Sequence, residues 1–394
     1  MHANPVSDIQ PPHQCDQPNH THQYQPHLTS QSTKENIMNA TNTNNPERTG
    51  RLLPTVLLLL ITLGLFGCFT ESSRNKNVGG GEDIGNNITC PAISTTFTST
   101  PKTETPANRA ALVALITKAI ATSGENVNLN HINTSAIKDM GSLFKDSAYT
   151  GDISEWDVSN VTNMNNMFNN ATSFNGDISH WNVGAVTDMN HMFRDANSFN
   201  GDICSWDVHK VTDMNNMFRD ASSFNGILIW DIRGATSINQ MFLMAESFEG
   251  KGVESWIINE NLKTMTNMFN GATVFNGDIG AWNVSKVVDM QGMFTTANAF
   301  NADISAWNVS AVTTMAWMFQ SATVFNRDIS GWNVGVVTNM KSMFNGAAAF
   351  NQNLNPWGAP PGNLSTRSIN IQKMFDGSPL AGDKSPDWYY PSRN

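Results

Sequence analysis

The stretch at residues 174–199, FNGDISHWNVGAVTDMNHMFRDANSF, decides the fold because the chain repeats it with few changes. Its tryptophan, Trp181, returns at steps of 24 to 26 residues, and its Met-Phe pair at Met192 and Phe193 returns with the same period. Two independent markers with one period indicate tandem repeats. The repeated tryptophans are Trp156, Trp181, Trp206, Trp230, Trp256, Trp282, Trp307, Trp332 and Trp357.

Within one copy the spacing of apolar residues changes. Ile178, Trp181 and Val183 are β-branched or aromatic, which predicts a short strand. From Val186 to Phe199 apolar residues recur every three or four positions, which predicts a short helix. If this second segment were extended instead, the array would be an all-β helix, and the sequence leaves that alternative open.

One copy alone has too few apolar side chains to offset the conformational entropy lost on ordering it. Stacked copies share their faces and form a continuous core. We therefore predict a right-handed α/β repeat solenoid of short strand plus short helix units over residues 125–378.

The composition argues against several functions. The formal net charge is −10, and the repeats contain no cluster of basic residues, so we expect no nucleic-acid partner. The chain has no G-x-S-x-G, H-E-x-x-H or phosphate-loop motif. The histidines of the predicted folded part replace polar residues at variable positions. We therefore expect no enzyme activity and no cofactor.

The four cysteines are too few and too irregular for a disulfide framework or a paired zinc motif. Cys204 stands where neighbouring copies have Ser154 and Ser179. We interpret it as a small residue that replaces serine, with a reactive thiol as the alternative.

The N-terminal part of the chain predicts export and lipid attachment. Residues 1–37 are polar and have no apolar period, and we interpret them as disordered and as a possible mis-called upstream extension. Residues 38–67 have two arginines followed by an apolar run of about 15 residues, which is typical of a secretory signal. The run ends at Cys68, and Leu65-Phe66-Gly67-Cys68 resembles a bacterial lipobox. An uncleaved anchor helix is the alternative.

The segments that flank the repeats read as a linker and two caps. Residues 68–104 contain a glycine run and a Thr/Ser/Pro-rich stretch, which predicts a flexible linker. Residues 105–124 predict a capping helix, in which Thr105 precedes Pro106 at the first turn. Residues 379–394 form the predicted C-terminal cap, with an aromatic ending up to Tyr390.

The motif is specific enough to resemble a known family. Residues 129–144, LNHINTSAIKDMGSLF, are followed by repeated GDIS-x-W-(D/N)-V and VT-(N/D)-M-x-x-MF, and together these resemble the BspA-type leucine-rich-repeat surface proteins. The resemblance is to the branch with 25-residue repeats found on bacterial lipoproteins. It implies a leucine-rich-repeat-like solenoid on the cell surface, with roles in adhesion and partner binding, and it does not imply an enzyme.

One acidic position recurs through the array. An aspartate follows the turn in most copies, where its side chain can cap backbone N–H groups. A ladder of carboxylates can also bind calcium, which takes several oxygen ligands. We predict capping and keep calcium binding as the alternative. The aspartates are Asp152, Asp177, Asp202, Asp278, Asp303 and Asp328, and the copies around Trp230 and Trp256 lack the position.

Trp317 is the main anomaly in the repeats. It precedes Met318 at a position where other copies have Asn166, His191, Asn216 and similar polar residues. We predict that this position faces solvent, which makes Trp317 a candidate binding anchor. The alternative is that the ring folds down onto its neighbours.

Together these features predict a secreted protein, anchored at the cell surface through a lipid on Cys68, that binds a protein or glycan ligand without catalysis. In an envelope with two membranes we expect the outer membrane. A passive structural envelope spacer is the alternative function.

Overall fold

The structure is a computed structural model that describes residues 88–92 and 99–390. The predicted signal segment and Cys68 lie outside the described residues. The described helices are α1, Arg109–Ser123, and four 3-10 helices, Val253–Ser255, Asn355–Gly358, Leu364–Thr366 and Gly382–Lys384. In this part of the chain no helix is both long enough and apolar enough to cross a membrane.

A backbone ladder joins each unit to the next, and it confirms the predicted solenoid. At nearly every joint, four alternate N–H groups of one unit donate to carbonyls of the following unit. Met164 donates to Asp188 and Phe168 to Met192, both at 2.9 Å. The ladder contains single-residue parallel bridges in place of continuous strands. The bridged pairs of the array are Asp139 with Asn163, Asn163 with Asp188, Asp188 with Asp213, Asp213 with Ser237, Thr264 with Asp289, Asp289 with Thr314, Thr314 with Asn339 and Asn339 with Asn370.

The local structure of the unit differs from the sequence prediction. Residues 186–199 form successive turns and no α-helix, because His191 and Asp195 both have a φ of 57°. The bonds in this segment span three residues, for example from the N–H of Met192 to the carbonyl of Met189 at 3.2 Å. Apolar residues spaced by successive turns resemble a helical pattern, which is why the sequence favoured a helix.

Two positions of each unit, four residues apart, have a positive φ. Asparagine, aspartate and glycine enter this region at the least cost, which explains why they are frequent there. We call the first of these positions the left-handed column. Its members in the array are Ser142, Asn166, His191, Asn216, Gln240, Asn267, Gly292, Trp317, Ser342 and Lys373.

The core consists of stacked side chains, since each apolar residue contacts its equivalent in the next unit. The rings of Phe193 and Phe218 are 5.6 Å apart, and those of Trp181 and Trp206 are 6.5 Å apart and nearly parallel. These side chains are almost fully buried.

Each repeated tryptophan also donates its indole N–H to a carbonyl of the preceding unit, so the buried nitrogen has a partner. Trp206 donates to Ile178 at 3.1 Å, and Trp388 in the C-terminal cap donates to Leu354 at 2.7 Å. We call these ten residues the tryptophan ladder: Trp156, Trp181, Trp206, Trp230, Trp256, Trp282, Trp307, Trp332, Trp357 and Trp388.

The divergent copy before Trp256 is accommodated by glycine. Gly252 has a φ of 91°, and a Cβ there would lie 2.8 Å from the backbone of Leu228. A side chain at this position would therefore push the two units apart. The short helix Val253–Ser255 follows and returns the chain to the core.

Helix α1 covers the N-terminal end of the array. It begins at Arg109, four residues after the predicted start, because the Asn108 side chain caps it by accepting the N–H of Ala111 at 3.0 Å. Leu112 and Ile116 are buried against the first unit. The Arg109 guanidinium donates to the carbonyl of Gly141 in the backbone ladder.

The end of the predicted linker is ordered against the array. Thr100 donates its N–H and its hydroxyl to the two carboxylate oxygens of Glu155, at 2.7 and 2.9 Å. Glu104 forms a parallel bridge with Ile132. Residues 99–104 therefore belong to the folded part, although their composition indicated a flexible segment.

A disulfide bond joins Cys90 to Cys204, which are 114 residues apart in sequence. The interpretation of Cys204 as a mere replacement for serine was therefore wrong, and so was the alternative of a reactive thiol. The bond fastens the segment before the array to the unit that contains Trp206.

Candidate functional site

Of the two site residues predicted from the sequence, Cys68 and Trp317, the structure describes only Trp317. Cys68 lies outside the described residues, so its lipid attachment stays a prediction. Trp317 lies in the left-handed column with a φ of 59° and is half-buried. The predicted solvent-facing position is therefore only partly open, and the ring also contacts its neighbours.

The backbone holds Trp317 firmly in place. Its N–H donates to the carbonyl of Lys341 at 2.8 Å, and its own carbonyl accepts the Thr295 hydroxyl at 2.6 Å. The Lys341 ammonium lies 5.8 Å from the centre of the indole ring, within the range of a cation–π contact.

Trp317 is an unusual residue for a left-handed conformation. A non-glycine residue there costs about 1 to 2 kcal/mol, and the cost is hardest to offset for a bulky side chain without a local hydrogen bond. The positive φ is shared by the whole left-handed column, so the unusual feature of Trp317 is its large aromatic side chain, which favours a binding role.

The surroundings of Trp317 contain little charge. Thr295, Gln320 and Ser321 flank it in the same and the preceding unit, and Lys341 is the nearby cation. The equivalent positions closer to the N-terminus have ion pairs, in which Arg194 contacts Asp195 at 3.1 Å and Arg219 contacts Asp220 at 3.0 Å. The same face is thus charged near its beginning and mainly neutral around Trp317.

The exposed apolar side chains also differ between the N-terminal and C-terminal parts of the array. Among the described residues, the exposed large hydrophobic residues of the array all lie at or beyond Met244, and five of the six lie in its C-terminal half. A partner that buries apolar surface would therefore find it there. They are Met244, Ile257, Val274, Val288, Val324 and Val336.

A cleft of about 390 Å³ lies between residues 99–102 and the units of Trp156 and Trp181, and we call the ordered residues 99–104 the N-terminal arm. Lys102, Glu155, Trp156 and His180 are among the residues that line it. Both carboxylate oxygens of Glu155 accept hydrogen bonds from Thr100, so this carboxylate fastens the arm.

The aspartate column has the predicted capping geometry. Each of the six carboxylates accepts the N–H two residues later, at 2.9 to 3.1 Å. Asn353 replaces aspartate in the copy of Trp357 and accepts the N–H of Asn355 at 3.0 Å, so the contact does not require a charge. In the described part of the chain, no three His, Cys, Asp or Glu side chains are grouped as metal ligands.

Capping should make stability depend on pH. The backbone hydrogen bond from Ser305 holds the pKa of the Asp303 carboxyl below its ordinary value, and Ser330 does the same for Asp328. Because the folded-state pKa is depressed, the stabilisation is present above the ordinary pKa of about 4 and is lost as the pH falls through the folded-state pKa.

We expect the double substitution Asp303→Asn and Asp328→Asn to leave stability at pH 7 nearly unchanged, because the amide oxygen still accepts the bond. The loss of stability as the pH falls below about 4 should become shallower. Urea unfolding over a pH series measures both quantities. If the free energy of unfolding fell equally steeply with decreasing pH in the variant and in the parent chain, the prediction would be contradicted.

The chain is similar over about two thirds of its length to chains of two solved structures. The chain is similar to a leucine-rich repeat protein from Eubacterium ventriosum ATCC 27560 of known crystal structure, at 12% identity and a TM-score of 0.30, with 66% of this chain and 78% of that chain covered. It is also similar to a chain in the crystal structure of a TLR13–ssRNA13 complex, at 10% identity and a TM-score of 0.16, with 64% of this chain and 47% of that chain covered. No curated protein matches the chain.

One family matches along most of the array, at residues 115–230, 236–357 and 264–386. These ranges cover more than half of the chain and contain the tryptophan ladder from Trp156 to Trp357. The chain therefore belongs to the family described as "Mycoplasma protein of unknown function, DUF285".

Proposed function

We propose that the chain is an exported bacterial lipoprotein of the cell surface that recognises a protein or glycan partner without catalysis. Cys68 receives the lipid, and the C-terminal half of the array binds the partner around Trp317. The observation that carries the proposal is Trp317 itself, a bulky residue with a φ of 59° on a mainly neutral face.

The disulfide bond supports the exported location. Disulfides form and persist in oxidising compartments and are rare in the cytosol. Both cysteines of the bond, Cys90 and Cys204, come after the predicted signal segment in the chain. A chain that is exported by the predicted signal at residues 38–67 would form this bond outside the cytosol.

The arrangement of the array supports recognition. The backbone ladder holds side chains of successive units at regular spacing, so it presents them as a rigid surface that loses little entropy on binding. Trp317 and the exposed apolar residues of the C-terminal half supply contact area, and an aromatic side chain is a frequent hot spot. The amide and hydroxyl groups around Trp317 can orient a ligand by hydrogen bonds.

The experiment compares the full chain with Cys68→Ala and with Trp317→Asn on producing cells. Asparagine is a frequent residue of the left-handed column, so Trp317→Asn should fold with a stability within about 1 kcal/mol of the parent chain. We expect Cys68→Ala to leave the membrane fraction. We expect Trp317→Asn to remain there and to bind matrix proteins, glycans or neighbouring-cell extracts at least about tenfold more weakly, a loss of about 1.4 kcal/mol.

Gln240→Asn is the matched control, because it changes another residue of the left-handed column and leaves Trp317 intact. Binding that is weakened equally by both substitutions would argue against a site at Trp317. Retention of Cys68→Ala in the membrane would overturn the lipid anchor. Silence of the parent chain across all three panels would favour the envelope spacer.

A further inference from the structure

Two departures from the repeat pattern meet at Trp317. Lys341, in the next unit, occupies the position just before the left-handed column, and it is the only cation at that position. Its backbone carbonyl accepts the N–H of Trp317 at 2.8 Å, and its ammonium lies 5.8 Å from the centre of the indole ring. The array therefore places the one tryptophan of the left-handed column beside the one cation of the neighbouring column. The equivalents of Lys341 are Gly141, Asn165, Asn190, Asn215, Asn239, Thr266, Gln291, Ala316 and Gln372.

The residues next to Trp317 have small side chains. Gly292 and Ser342 are its neighbours in the left-handed column, and Ala316 precedes it in the chain. Ala316 and Ser342 are buried, whereas the larger residue His191 in the left-handed column is half-buried. Small neighbours leave room for the indole ring at this place, so the tryptophan belongs to a local arrangement of several residues.

The charge of Lys341 has no counterpart in the two units that hold the pair. Residues 314–321 and 339–346 contain no aspartate or glutamate, whereas the equivalent residues 188–195 and 213–220 contain two aspartates each. Among the described residues, no carboxylate forms a salt bridge with the Lys341 ammonium. An anionic ligand at Trp317 would therefore meet a positive charge that is not already neutralised.

We propose that Trp317 and Lys341 together bind a negatively charged sugar. A sugar ring presents a face of C–H groups that packs on an indole ring, and its acidic group accepts hydrogen bonds from the ammonium. The amide groups of Gln320 and Asn345 belong to the same two units and can bond to sugar hydroxyls. This inference rests on the proposed recognition site at Trp317 and names the class of its ligand.

The surroundings favour a sugar over an acidic peptide. A single lysine beside a large aromatic ring and neutral amides matches a ligand with one acidic group per ring and several hydroxyls. A peptide with several carboxylates would need several cations, and residues 314–346 contain only Arg327 and Lys341. Arg327 donates to the carbonyl of Asn301 at 2.6 Å, which leaves Lys341 as the cation beside the indole.

Isothermal titration calorimetry of the full chain with four probes tests the proposal. The probes are oligogalacturonate, a sulfated galactan oligosaccharide, a neutral galactan oligosaccharide and oligoglutamate. We expect at least one of the two charged sugars to bind at least about tenfold more tightly than the neutral sugar and oligoglutamate. The tighter of the two shows whether the acidic group is a carboxylate or a sulfate, and a rise in ionic strength should weaken its binding.

The substitution Lys341→Gln separates the contribution of the charge from that of the ring. Glutamine occupies the same position at Gln291 and Gln372, so the variant should unfold at the same urea concentration as the parent chain. We expect it to bind the charged sugar about tenfold more weakly and the neutral sugar with unchanged affinity. Lys286→Gln is the matched control, because it removes another exposed lysine of the array and should leave both affinities unchanged.

Equal affinity for charged and neutral sugars, or no binding of either charged sugar, would overturn the proposal. Oligoglutamate bound as tightly as the charged sugars would show that the ligand is an acidic peptide. If Trp317→Asn weakened ligand binding and Lys341→Gln did not, the recognition site would stand and the charged sugar would be wrong. If Trp317→Asn weakened the binding of no ligand, the recognition site itself would fail.

Discussion

Trp206→Ala should lower the free energy of unfolding by about 3 to 5 kcal/mol, as is usual when a large aromatic residue is removed from a core. The ring is 3% exposed and stacks at 6.5 Å on both Trp181 and Trp230. The substitution also leaves the carbonyl of Ile178 without the indole N–H that it accepts at 3.1 Å. Urea unfolding at pH 7, followed by circular dichroism, measures the change.

Two controls separate the contributions of ring and hydrogen bond. Trp206→Phe keeps most of the ring and removes the N–H, so it should cost about 1 to 3 kcal/mol for the unpaired carbonyl. Trp317→Ala removes a tryptophan that is half-buried and outside the tryptophan ladder, so it should cost much less. If Trp206→Ala were no more destabilising than Trp317→Ala, the ladder would not be the core of the array.

Cys204→Ser should lower the free energy of unfolding by about 2 to 5 kcal/mol under oxidising conditions, because the disulfide closes a long loop and constrains the unfolded chain. The bond spans 114 residues. Serine is the residue that other copies have at this position, as at Ser154 and Ser179, so the local turn should be preserved. Denaturant unfolding with and without a reductant measures the loss.

The reduced parent chain is the control for Cys204→Ser. The two should unfold at the same denaturant concentration, since both lack the bond and keep the turn at residue 202. A reductant should not change the denaturant concentration at which the variant unfolds. If the parent chain unfolded at the same midpoint with and without reductant, the bond between Cys90 and Cys204 would contribute nothing to stability.

The sequence alone determined the architecture of the repeats. Two markers of one period, at Trp181 and at Met192-Phe193, were sufficient to predict a solenoid, because a single copy cannot bury its own apolar face. The capping role of the aspartates was also readable, since a short side chain after a turn bonds to a backbone N–H two residues later. Trp317 stood out because its equivalents are polar.

The sequence-based prediction of a helix in each unit was wrong because the same spacing of apolar residues fits two kinds of local structure. The spacing of apolar residues from Val186 to Phe199 is shared by a helix and by successive turns, and only the folded chain shows the positive φ of His191 and Asp195. With that backbone known, the polar residues of the left-handed column are explained by conformation as much as by exposure to solvent. Only the structure shows that Trp317 places a large aromatic side chain on a left-handed backbone.

The tertiary structure alone decided the contacts between distant residues. The fold places Cys90 beside Cys204, and nothing in their spacing indicates this. The packing of Trp388 and Tyr389 on Phe375 of the last unit is likewise invisible in the sequence. A repeated sequence specifies the joint between two units, whereas only the folded stack decides which residues outside the repeat pattern meet.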